Sequence, residues 1–164
     1  MDLVKKNPNI SIEIKSEYAN QYAAYGDLTM IDGIRGGNEY RTGDWQGYWA
    51  QDLQVELTFK NPRSISQLAL GCLEDTKSWI FLPNAVVFEG STDGVNFEII
   101  GINKLVHTAT EVKPAKIFDF DIKLEQAKSF RKIRVTALNY GKCPEWHLGA
   151  GNDTWLFVDE IVLK

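Results

Sequence analysis

Three segments of this chain alternate apolar and polar residues with strict period two. Leu53, Val55, Leu57 and Phe59 are interleaved with Gln54, Glu56, Thr58 and Lys60. Phe118, Phe120 and Ile122 alternate with Asp119, Asp121 and Lys123, and Ile133, Val135 and Ala137 with Lys132, Arg134 and Thr136. Successive side chains of a strand point to opposite faces, so each segment offers one face to a core and one to water. Ile10–Ile14, Ile65–Leu73, Ala85–Glu89, Phe97–Gly101 and Phe157–Leu163 read as further strands. Ser91-Thr92-Asp93-Gly94 between two of them is a turn signal. Helical periodicity is thin: Tyr18, Tyr22 and Tyr25 fit either one short helix over Ser16–Tyr25 or an aromatic-pinned loop stopped by Gly26-Asp27. About eight short strands with long loops predict an antiparallel β-sandwich of jelly-roll type. The 164 residues suit a single domain over the whole chain.

Charge and hydropathy remove several partners. The net charge is −4 and there is no Lys/Arg run, whereas nucleic-acid binding needs a basic face. No segment approaches the roughly 18 apolar residues of a membrane span. The N-terminus, Met1 to Pro8, has no apolar signal core, so the chain reads either as cytosolic or as a domain cut from a longer secreted protein. Cys72 lies in an apolar run and Cys143 in a Gly/Pro-rich loop, which favours two free thiols over a disulfide.

Two loops combine glycines, aromatics and polar side chains: 32–49 (DGIRGGNEYRTGDWQGYW) and 139–155 (NYGKCPEWHLGAGNDTW). Binding residues concentrate on loops held by a rigid scaffold. Catalysis finds little support. Asp159-Glu160 is the tempting carboxylate pair, yet neighbours on a regular strand face opposite ways. There is no nucleophile elbow, phosphate loop or His-rich metal motif. The Cys143/His147 pair lacks an orienting third group. Asp32-Gly33 opens a loop containing Asn38, Thr42 and Asp44, whose spacing alone reads as a plain turn rather than a cation loop. Tyr40, Trp45, Tyr48, Trp49, Trp79, Phe81, Trp146 and Trp155 lie in or beside loops. An aromatic face stacks on the C–H face of a sugar while Asn, Arg or His bonds its hydroxyls. More than half of these rings should instead close the core. Their flanking sequence marks Trp45, Trp79 and Trp155 as packers and Trp146-His147 as the better exposed candidate.

In this order the motifs resemble the galactose-binding-like jelly roll of the discoidin, or coagulation factor 5/8 type C, superfamily and its family 32 carbohydrate-binding modules. The pieces are Met30-Ile31-Asp32-Gly33, Trp45-Gln46-Gly47, the strand Leu53–Phe59, Trp79-Ile80-Phe81-Leu82-Pro83, Ser91 to Phe97, Phe130 to Val135, and Trp155 to Ile161. Tyr18–Tyr25 with Gly26, Trp45-Gln46-Gly47, Trp79-Ile80-Phe81 and Cys143-Pro144-Glu145-Trp146-His147 more closely resemble a C-terminal module of Bacteroides-type chitobiases (β-hexosaminidases). The resemblance implies a structural Ca²⁺ held by Asp32 and Glu160, with Thr42 and carbonyls near Thr29 and Gly37 as further ligands. Ile34 stands where the common metal loop has Asn, and the loop is longer. It also implies sugar binding by apical loops, which by position assigns Trp79, Trp146 and His147, with Arg41 and Tyr48 behind them.

The function expected is therefore a non-catalytic module of a chitobiase-type β-N-acetylhexosaminidase. It would weakly bind glycans ending in Gal, GalNAc or GlcNAc. The 164 residues would be a piece from the C-terminus of a larger periplasmic, cell-surface or secreted glycosidase. The alternative is a structural module that packs on the catalytic domain of the parent chain and binds no sugar.

Overall fold

The computed structural model describes residues 8–164. Its strands are β1 (Ile10–Ile14), β2 (Gln46–Trp49), β3 (Leu53–Glu74), β4 (Ala85–Ser91), β5 (Glu98–Lys104), β6 (Lys116–Leu138) and β7 (Trp155–Leu163). All pairings are antiparallel, in the order β2-β7-β3-β6-β4-β5 with β1 added on β3. The pairings form the expected antiparallel β-sandwich. Its two layers share strands, because β3 with 22 residues and β6 with 23 each pass through both. The first half of β3 pairs with β1 and the second half of β6, which continues to β4 and β5. The second half of β3 pairs with β7 and the first half of β6, and β7 carries β2. Register shifts between Thr58 and Arg63 and between Ile65 and Gln67 mark where the two long strands bend from one layer to the other.

Those bends merge four of the eight expected strands into two, and β2, which is not among the expected strands, brings the described strands to seven. Leu53–Phe59 and Ile65–Leu73 are one strand, with Asn61 and Pro62 exposed at its bend. Phe118–Ile122 and Ile133–Ala137 are likewise joined through Gln126-Ala127-Lys128. Ser16–Tyr25 is the pinned loop rather than a helix, with one 3₁₀ turn at Asn20–Tyr22. Cys72 and Cys143 are buried free thiols. No helix among the described residues is long and apolar enough to cross a membrane.

The alternating segments behave as their period requires. Leu53, Val55, Leu57, Phe120, Ile133, Val135 and Ala137 are fully buried, together with Phe88 and Phe130 from β4 and β6. On the opposite face, Arg134 links the strand ends: its guanidinium lies 3.9 Å from the Phe97 ring centroid and 3.3 Å from Glu56, which also binds Lys15 at 2.8 Å. Two of the sequence motifs thus meet. The turn before Phe97 is held by Asp93, which accepts from the Val95 and Asn96 backbone N–H groups, both at 2.7 Å.

The Trp45-Gln46-Gly47 motif also has a packing reason at each position. Trp45 is buried over Gly36, and its Nε1 donates to Gly37 O at 2.8 Å. The Gln46 amide donates to Ala23 O at 3.1 Å and Gly26 O at 2.9 Å, clamping the tyrosine loop. Gly47 leaves β2 bare where β7 and that loop converge: a Cβ there would lie 2.6 Å from the Phe157 ring and 3.0 Å from Tyr22 Cβ. Gly47→Ala is therefore expected to destabilise the chain by about 1–3 kcal/mol through overpacking, read as a lower urea midpoint at unchanged m-value.

Candidate functional site

The loops that the sequence singles out meet at the end of the sandwich where β7 begins. Trp155, the first residue of β7, donates its N–H to Trp79 O at 2.9 Å. Its ring lies 5.1 Å from Tyr22 and 5.0 Å from Trp49, and Tyr22 lies 5.9 Å from Tyr40. These rings stand on fully buried Phe157, which touches Tyr22, Tyr40 and Trp155. The residues 40–42 form one 3₁₀ turn and 76–78 another. Arg41 is exposed, lies over the Tyr40 ring at 5.4 Å and donates to Glu39 at 2.8 Å. Its charge is strengthened chiefly by Glu39 and also by the field of Asp75, which sits just before the second turn. Beside these groups is a cleft of about 360 Å³ lined by Asn20, Gln21, Tyr22, Tyr40, Arg41 and Trp45. Aromatic walls with a few polar groups and a guanidinium are the lining expected for a small polar ligand with apolar faces.

A second aromatic row continues from Trp79. Trp146 packs on buried Phe81, Phe81 stacks on Tyr140 at 4.5 Å, and His107 meets Tyr140 edge-on at 4.7 Å. The loop carrying Trp146 is closed on itself by Cys143 N to Asn152 O at 2.7 Å and Thr154 Oγ1 to Gly141 O at 2.8 Å. Leu148 at its tip is fully exposed.

The five predicted sugar residues separate on this geometry. Arg41 is exposed at the surface and paired with Glu39, and Trp79 and Trp146 are half-buried. Trp79 adopts φ +67, a strained backbone for a bulky residue, and its ring fills the space a side chain at Gly149 would take. Tyr48 is a correction: it is fully buried and its hydroxyl donates to Gln46 Oε1 at 2.7 Å, so it belongs to the scaffold. His147 is a second correction. Only 5% of it is exposed; Nε2 lies 2.6 Å from Thr76 O, and Nδ1 accepts from Gly149 N at 2.9 Å. With Nδ1 accepting, Nε2 carries the proton, and the neutral ring ties the two loops together instead of touching a ligand. Sequence reasoning missed Tyr22 as a wall of the cleft, because its spacing with Tyr18 and Tyr25 fitted either a short helix or a loop pinned by its aromatics.

The opposite end of β7 holds the acidic residues. A larger cavity of about 670 Å³ lies there, with Ile10, Ile31, Arg63 and Leu163 around Asp32 and Glu160. Asp159 and Glu160 are both buried, and both engage the 32–36 loop, against the expectation for neighbours on a strand. The reason is a bulge: Leu70 pairs with Ile161 and Cys72 with Val158, so two residues of β7 face Gly71 alone. Asp159 accepts from Arg35 Nε and Gly36 N, both at 2.9 Å, and Glu160 accepts from Gly33 N at 3.0 Å. Burial raises the Asp159 carboxyl, and these donors pull it back. Burial, with Asp32 alongside, pushes Glu160 up to about 9. Asp32 and Glu160 are neighbours in this pocket, both buried and already engaged by loop backbone N–H groups, from Ile34 and Gly33 respectively. The pair therefore reads as a buried acid couple rather than a catalytic dyad.

The same residues are those implied for Ca²⁺. One observation favours a cation: Asp32 Oδ2 is buried and takes no N–H donor. Two of the other implied ligands are engaged elsewhere. Thr42 is exposed, with its hydroxyl directed to Glu39 O at 3.2 Å and Asp44 at 3.4 Å, and Gly37 O accepts from Trp45. Among the described residues no group of three or more His, Cys, Asp and Glu side chains is arranged to hold a metal. Two carboxylates fall well short of the roughly six to eight oxygens that Ca²⁺ takes, so this donor set does not fit the ion.

No protein-family model matches the chain, and no curated protein matches it in sequence. Solved structures do match its fold. The Clostridium perfringens module CpGH89CBM32-5, in complex with GalNAc-β-1,3-galactose, aligns at TM-score 0.59 and 12% identity over 94% of both chains. The family 32 module of C. perfringens NanJ, in complex with galactose, aligns at TM-score 0.57 and 12% identity, covering 94% of this chain and 92% of that one. The C-terminal domain of a Bacteroides fragilis chitobiase aligns at TM-score 0.55 and 16% identity, covering 96% and 93%. The chain thus has the β-sandwich fold of the family 32 carbohydrate-binding modules, as the resemblance implied.

The acid couple has a pH signature. Glu160 rises from an ordinary 4.5 to about 9 in the folded chain, so its contribution is full below pH 4.5 and lost as pH climbs toward 9. Glu160→Gln keeps the shape of the side chain and removes its titrating proton. It is expected to flatten the fall in urea midpoint between about pH 5 and 9 that the natural chain shows.

Proposed function

We propose that this chain is a non-catalytic glycan-binding module of a glycoside hydrolase, recognising terminal Gal, GalNAc or GlcNAc at the end where β7 begins. The observation that carries the reading is the cleft walled by Tyr22, Tyr40 and Arg41, with the partly exposed Trp79 and Trp146 on the adjoining loops. Rings offer flat apolar area to the C–H face of a sugar, and Arg41 offers N–H donors beyond those engaged by Glu39. Related folds holding galactose or a GalNAc disaccharide support the sugar class. The chitobiase domain among them supports a β-N-acetylhexosaminidase as parent, acting in the periplasm, at the cell surface or outside the cell. Such a site is shallow, so affinity in the μM–mM range, roughly −4 to −8 kcal/mol, is expected.

Calorimetric titration of galactose, GalNAc and GlcNAc into the chain tests this. Saturable binding to at least one is expected, weakened about tenfold by Arg41→Ala and comparably by Trp146→Ala, with thermal stability kept. Absence of binding by all three at millimolar concentration would favour the second reading, a module that packs on its catalytic domain. Exposed Leu148 and Trp49 would then be contact residues.

A further inference from the structure

Between the loop after the first strand and the last strand, where the resemblance sets a metal ion, the chain supplies its own positive groups. The backbone N–H groups of Gly33, Ile34 and Gly36 turn inward, donating to Glu160 Oε2 at 3.0 Å, Asp32 Oδ1 at 2.7 Å and Asp159 Oδ2 at 2.9 Å. A concave run of N–H groups is an anion cradle, whereas a Ca²⁺ loop turns carbonyl oxygens inward. The anions in this cradle are the protein's own carboxylates.

Arg35 sits in the middle of that run. Its Nε donates to Asp159 Oδ2 at 2.9 Å and its Nη2 to Asp119 on β6, so one guanidinium joins the loop, β7 and β6. Asp159 has no solvent exposure, and an unpaired carboxylate so placed would be strongly unfavourable. The neighbouring strand is cut away to admit the pair: a Cβ on Gly71 would lie 2.0 Å from Asp159 Oδ1 and 2.6 Å from Arg35 Nη2. Asp32 Oδ2 is the one acceptor of the cradle left over, buried and without a hydrogen-bond partner.

We propose that Arg35 is the resident cation of this module, a clasp that takes the place of a structural metal and makes the fold independent of divalent ions. Arg35, Gly71 and the β7 bulge form one device. Each is explained by the other two, and none is needed to explain glycan binding.

Thermal unfolding of the natural chain, once in EDTA and once in excess CaCl₂, is the first test; the same Tm in both is expected. Arg35→Met is expected to lower Tm by about 5–10 °C in either buffer, since it strands a buried carboxylate. Arg35→Lys should recover only part of that loss, because an ammonium lacks the planar fork. Gly71→Ala should act in the same direction as Arg35→Met. A lower Tm of the natural chain in EDTA, restored by CaCl₂, would overturn the proposal, as would Arg35→Met melting with the natural chain. Should Arg35→Met fail to fold, calorimetric titration of Ca²⁺ into the EDTA-stripped natural chain decides. No heat supports the clasp, and stoichiometric binding abolished by Asp32→Asn overturns it.

Discussion

A carboxylate with no access to water has to be paired, and the burial of Asp159 is the constraint around which this sandwich is arranged. The β7 bulge turns Asp159 and Glu160 toward one loop, Gly71 makes room, and Arg35 with the backbone N–H groups of Gly36 and Glu160 answers the Asp159 charge. That fixes the start of the 32–45 segment. Its far end is fixed by Trp45, seated against Gly36 and bonded to Gly37 O. Tyr40 and Arg41 lie on the segment between these two anchors, so the ion pair at one end of β7 governs how the aromatic end is presented.

At that aromatic end the side chains divide by what lies beneath them. Phe157 and Phe81 are floor, fully or almost fully buried: Tyr22 and Tyr40 stand on Phe157 and Trp146 on Phe81, while Trp79 meets buried His147, and each of these four is only partly buried. His147 couples the two tryptophan loops through Thr76 O and Gly149 N. A recognition surface built on such a floor needs little ordering when a ligand arrives, which favours binding by a few shallow contacts. The larger cavity near Glu160 has no aromatic platform, and its carboxyls are already bonded to the loop.

Fold and site were unequally legible. The sandwich could be read because period two survives in the first half of β3 and in β6, and the turn before Phe97 because Asp-Gly supplies its own geometry. The joining of short segments into β3 and β6 could not, since Asn61-Pro62 reads as a break between strands and only the ladder pairing carries each long strand through its bend. Arg41 and Trp146 could be placed in apical loops from glycine and aromatic content. Tyr48 and His147 could not be separated from them, because burial depends on what packs above a residue. Tyr48 sits on β2 under the tyrosine loop, and His147 lies between two loops 71 residues apart at their hydrogen bond.

The sequence by itself determined the layers: which side chains face the core, that strands dominate, and that glycines and aromatics gather in two loops. Only the tertiary structure decided how charge is settled. Asp159 and Glu160 are neighbours whose directions depend on one extra residue opposite Gly71, and Arg35 reaches Asp159 across 124 positions. Periodicity is a local property of the chain. The partner of a buried charge is set by which distant segments the folded sheets bring together.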